Sequence, residues 1–118
     1  MPKYFIGIVE REDAYEADGE ADMGAVMQAH NDFAAAVTAA GATMVAGEAL
    51  RPSPTASFFR GTRTDAVHTV DNPLPETKEV FGGFYVIDAP DDDTAAELAR
   101  LCPAAYGYIE LRPVWEFS

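Results

Sequence analysis

Two short segments, "YFIGIV" at residues 4–9 and "FYVI" at 84–87, are apolar at consecutive positions rather than alternate ones. A strand with one face in water alternates apolar and polar residues, whereas a continuous apolar run marks a strand covered on both faces. The rest of the chain offers only two helical patterns, and two helices cover one face of a sheet. The other face needs a cover from elsewhere, and a second copy of the same chain is the simplest. The sequence therefore predicts a homodimer packed sheet to sheet.

Around these two strands the elements can be read in order. Val26, Met27, His30, Phe33, Ala34 and Val37 recur at helical spacing, with Asp22 as the N-cap and Gly41 as the stop. "TMVAGEAL" reads as a strand, "RPSPT" as a turn and "ASFFRGTRTDAVHTV" as a hairpin. After the loop "DNPLPE" come a strand, "GGFYVIDA", and a short helix, "PDDDTAAELARLC", whose first turn is acidic as the helix dipole favours. The alternating "YGYIELRPVWEF" closes the chain as a strand. The order β, α, β, hairpin, β, α, β predicts an α+β domain over residues 1–118: a ferredoxin-like antiparallel sheet with two helices on one face and an inserted hairpin.

Composition narrows the function. A chain of 118 residues with 48% hydrophobic content has one modest core. No apolar run approaches the roughly 18 residues that cross a bilayer, and the N-terminus lacks the apolar core of a signal peptide, so a cytoplasmic location without a membrane partner is expected. The net charge of −12 opposes binding to nucleic acid. Much of it lies in "EREDAYEADGEAD", residues 10–22, expected to be a solvated loop because its acids lack the pattern of a calcium loop. Cys102 is the single cysteine, which excludes an internal disulfide and a thiolate zinc cage, and its setting reads as a buried helix end. No glycine pattern matches a dinucleotide or phosphate loop, so no cofactor is expected.

Among candidate site residues, His30 is the most informative. It occupies the apolar stripe of the first long helix and should point at the sheet, as either a satisfied core residue or a general acid/base in a pocket between helix and sheet. Asp32 cannot orient it, since residues two apart on a helix diverge. His68, in the hairpin, reads as an edge histidine. "PLPETKEVFGGFYVID", residues 73–88, adds Glu76, Lys78 and Glu79 ahead of Gly82 and Gly83. Its charges are either a neutralised surface turn or a pocket rim, and its glycines mark a bulge or a close approach of another backbone. Asp71, Glu76 and His68 are a third candidate, for a weak metal site, though nothing in their spacing compels one.

Residues 70–114, "VDNPLPETKEVFGGFYVIDAPDDDTAAELARLCPAAYGYIELRPV", resemble the signature half of the DGPF group of YCII-related proteins. That group shows Asp-Gly-Pro-Phe, then Glu-Thr-Lys-Glu, a Gly-Gly-Phe strand and a closing Glu-x-Arg-Pro-Val. The N-terminal half agrees, in "MQAHNDFAAAVTAAGATMVAGEAL". The resemblance implies a ferredoxin-like fold of the dimeric α/β-barrel kind and an active site at a His–Asp pair. His30 matches the histidine, but the aspartate's place is taken by Ala39 or Ala40, which leaves Glu48 or Asp71 to orient it. "DNPL" also stands where the group has "DGPF", and Asn72 tolerates the left-handed backbone that glycine favours. Relatives include a dehydrochlorinase of chlorinated hydroxyquinols and proteins associated with sigma factors. Two expectations follow. One is an acid/base enzyme, lyase- or isomerase-like, acting on a small cyclic or aromatic molecule through His30, with Glu48, Asp71 and Lys78 lining the pocket. The other is a non-catalytic small-molecule-binding or regulatory module linked to transcription.

Overall fold

The computed structural model of the protein describes residues 1–17, 23–71 and 79–117. Its principal sheet is built from β1 (Lys3–Arg11), β2 (Thr43–Ala49), β5 (Glu79–Asp88) and β6 (Gly107–Pro113). The spatial order is β2-β5-β1-β6 and every neighbouring pair is antiparallel, the ferredoxin-like arrangement. The helices α2 (Met23–Ala39) and α3 (Asp92–Ala99) lie on one face. β3 (Phe58–Arg60) and β4 (His68–Val70) form a separate two-stranded hairpin.

The core lies between the helices and the central strands. Tyr4, Ile6 and Ile8 of β1 and Ile87 of β5 meet Phe33 and Val37 of α2 and Ala95 and Leu98 of α3. Each large apolar side chain enclosed there contributes about 1.5–3 kcal/mol. The helix ends follow from local chemistry. Gly41, at φ 76°, closes α2, with its own amide donating to the Thr38 carbonyl and the Ala42 amide to that of Val37. Asp91 caps α3 by accepting from the Thr94 amide at 2.7 Å. Tyr4 donates to Asp92 in the first turn of α3 at 2.5 Å, and this bond pushes the phenol up to about 12.

Three expectations are corrected. The acidic stretch is not simply a loop: β1 continues to Arg11, and α1 (Glu12–Ala17) follows directly. Glu12 anchors it by accepting from the Ser53 amide at 2.6 Å and the Ser53 hydroxyl at 2.7 Å. The last strand stops at Pro113 instead of running to Phe117, because its partner β1 begins at Lys3 and only the Val114 amide still finds an acceptor there. Trp115 and Phe117 are left 80% and 87% exposed. Finally, α2 packs only through its second half; Met27 is exposed although it lies on the apolar stripe. The N-cap expected at Asp22 falls outside the described residues.

Among the described residues the sheet face away from α2 and α3 is only partly covered, with Phe81 and Tyr108 on it 50% and 54% exposed. Phe5, Phe81 and Phe84 cluster on it, with Phe5 stacked on Phe84 at 6.1 Å and edge-on to Phe81 at 6.4 Å. The molecule is a slab 18 Å thick with a radius of gyration of 16.5 Å; about 13.5 Å is usual for this length. Among the described residues no helix is long and apolar enough to cross a membrane.

Candidate functional site

Where β1 runs out, the first half of α2 stands away from the sheet and leaves a cavity of about 290 Å³. Ile8, Glu10, Met27, His30, Gly83 and Tyr85 line it. Glycines make the room. A Cβ on Gly47 would lie 2.5 Å from Cδ1 of Tyr85, so only glycine lets that ring lie over β2. Gly82 is the extra residue of a bulge, since Ile8 pairs with Gly83 and Val9 with Phe81. Gly83 is the close approach, with its Cβ position 2.9 Å from the Glu48 carbonyl oxygen.

His30 faces this cavity. Its Nδ1 is hydrogen-bonded to the Tyr85 hydroxyl at 2.6 Å, and the Tyr85 ring rests on Phe33 with centroids 4.9 Å apart. Burial lowers the His30 pKa, with Glu10 pulling weakly the other way, so the imidazole is neutral at pH 7. Burial raises the Tyr85 pKa, which keeps the phenol protonated. The bond at Nδ1 leaves Nε2 as the nitrogen for exchange with a ligand. When Nδ1–H donates to Tyr85, Nε2 offers a lone pair and is a base; when the Tyr85 hydroxyl donates to Nδ1, Nε2–H is an acid.

The other sequence-derived candidates are scattered. Glu48 borders the cavity, but it pairs with Phe84, so its side chain belongs to the opposite face of the sheet. Asp71 is exposed beyond the end of β4 and does not line the cavity. Lys78, with Asn72 and Glu76, lies outside the described residues. His68 is exposed, and its Nδ1–H donates to the Ala66 carbonyl at 2.8 Å. Cys102 is enclosed and its thiol is pushed up to about 12, chiefly by burial, which makes it a structural residue. Among the described residues no His, Cys, Asp and Glu side chains cluster as a metal site requires.

Two site residues escaped the sequence reading: Tyr85 and Glu10. Both were within reach of strand periodicity, since Ile6, Ile8 and Glu10 share one face of β1, and Ile87 and Tyr85 share one face of β5. What hid them was context. Glu10 begins an acidic run, and Tyr85 sits inside an apolar one.

The fold and this cavity can be set beside known proteins. The family model of the YCII-related domain matches residues 3–118. The chain belongs to the YCII-related family. No curated protein matches it. The match spans every element of the principal sheet and both packed helices, so the cavity beside His30 lies wholly within the YCII-related domain.

Proposed function

We propose that this YCII-related protein is an acid/base enzyme of lyase or isomerase type that acts on a small cyclic or aromatic molecule, with His30 as the proton-transferring group. The observation that carries this reading is the neutral His30 ring at an open cavity with Nδ1 tied to Tyr85. A group that gives and takes protons near neutral pH is well served by such an imidazole. The cavity is at the small end of ligand pockets, which suits a single ring. Nε2 takes a proton from the substrate, Glu10 on the same wall stabilises the imidazolium, and the proton returns to the substrate skeleton or its leaving group.

The test is to follow the His30 ring resonances while titrating the protein with single-ring phenols, hydroquinones and lactones. Ligands that shift them are then assayed for turnover by the wild type and by His30→Asn. Turnover lost in a folded His30→Asn variant supports the proposal; unshifted ring resonances at millimolar concentrations of every compound overturn it.

A second reading is favoured by Met23 and Met27, 58% and 55% exposed at the cavity mouth, since soft apolar side chains adapt to varied partners. In it, the protein is a ligand-binding regulatory module linked to transcription. A ligand that binds beside His30 and is recovered unchanged by mass spectrometry distinguishes this case. In either reading the protein works in the cytoplasm as a homodimer, joined through the sheet face that carries Phe5, Phe81 and Phe84. Sedimentation as a monomer at micromolar concentration would overturn the dimer.

A further inference from the structure

A second cavity, of about 570 Å³, opens on the sheet face opposite His30, at the root of the hairpin. Val9, Leu50, Phe58, Phe81 and Tyr108 form its apolar walls, and Arg51 stands at it. Phe81 and Tyr108 are 50% and 54% exposed, large aromatic surfaces left without cover. At the far end of the same sheet, Trp115 and Phe117 stack on each other at 5.8 Å with almost no other cover. Glu116 lies between them in sequence.

We propose that the Trp115–Phe117 segment of one copy seats in the hairpin-root cavity of a second copy, with Glu116 meeting Arg51. The inference rests on the sheet-to-sheet dimer and specifies what holds it. The segment does not fill its own chain's cavity: Trp115 and Phe117 stay 80% and 87% exposed, at the opposite end of β1 from Tyr108, since Pro113 pairs with Tyr4 and Tyr108 with Val9. Symmetry supplies the partner's cavity instead. Two sheets packed face to face about a two-fold axis that crosses the strands run in opposite directions, so the Val114 end of one lies over the Val9 end of the other. The contact then forms twice.

Charge selects the same occupant. Residues 51–70 hold Arg51, Arg60 and Arg63 against Asp65 alone, in a chain of net charge −12. Among the described residues neither Arg51 nor Glu116 has an ion-pair partner, whereas the cavity's Glu110 is paired with Arg112, and Glu79 faces Arg11 across the strand pair. The hairpin itself has a use for the contact, because a two-stranded hairpin packed on nothing else is marginal in water.

Trp115 is the single tryptophan, so its fluorescence reads the contact directly. The experiment combines sedimentation velocity with emission and acrylamide quenching over a protein dilution series, on the wild type, Arg51→Glu, Glu116→Arg and the double exchange. Expected are a blue-shifted, poorly quenched Trp115 that becomes exposed as the dimer dissociates on dilution, a roughly tenfold weaker dimer for each single variant, and recovery in the double exchange. A dimer in which Trp115 quenches like free indole overturns the seating and leaves the dimer standing. A monomer at every concentration overturns both. Single variants that weaken the dimer without recovery in the double exchange overturn the Arg51–Glu116 pairing.

Discussion

Nδ1 of His30 and the hydroxyl of Tyr85 lie 2.6 Å apart, joining helix α2 to strand β5 across the floor of a cavity. The bond does two things at once. It holds the part of α2 that is otherwise poorly packed, and it fixes which nitrogen of His30 is left for chemistry.

Tyr85→Phe tests that bond with almost no change of shape. Loss of one partly buried hydrogen bond should cost about 1 kcal/mol in urea unfolding. Any turnover by His30 should fall with it, because the ring is no longer held with Nε2 toward the cavity. An unchanged His30 nitrogen spectrum in the variant would contradict the assigned role.

Acidification should weaken the protein through His30. Its pKa is lowered by burial on folding, so near and below the ordinary value of 6.5 the unfolded chain binds the extra proton first. The stabilising contribution is complete above pH 6.5 and is lost as pH falls through the folded-state value. Carboxylates titrate as well, so the measurement is a comparison: between pH 7 and 5 the melting temperature of His30→Asn should fall less than that of the wild type. Equal falls would refute the shift.

Gly82 and Gly83 should respond oppositely to alanine. A Cβ at Gly83 meets the Glu48 carbonyl at 2.9 Å and can be relieved only by moving a strand, at a cost of about 1–3 kcal/mol. A Cβ at Gly82 meets nothing within 4 Å, so Gly82→Ala should stay within about 0.5 kcal/mol of wild type. Chemical denaturation of the two variants checks the contrast.

Cys102 should be silent. With its thiol enclosed and pushed up to about 12, it should react with a thiol-specific disulfide reagent only as fast as the protein opens, and at once in denaturant. Rapid stoichiometric labelling of the native protein would contradict that placement.

His30 was readable as a cavity residue because helical spacing places it between Met27 and Phe33 on the face toward the sheet. Its partner was not, because choosing Tyr85 over Glu48 or Asp71 requires strand register. Glu48 looked suitable because the resemblance left the orienting role to it or to Asp71. Pairing with Phe84 turns its side chain to the other face. The end of β6 was overextended for a related reason: the alternation in "RPVWEF" says nothing about where the neighbouring strand starts, and here Lys3 sets the limit.

Apolar periodicity and turn residues by themselves determined the order of elements and the ferredoxin-like sheet. These are local properties, repeated along several residues and hard to override. The tertiary structure decided which side chains meet. The bulge at Gly82 shifts the register of β5 against β1 by one residue, and in a strand one residue is the difference between the two faces. That shift keeps Phe81 and Phe84, three residues apart, on the same open face, a result that alternation along β5 alone could not reach.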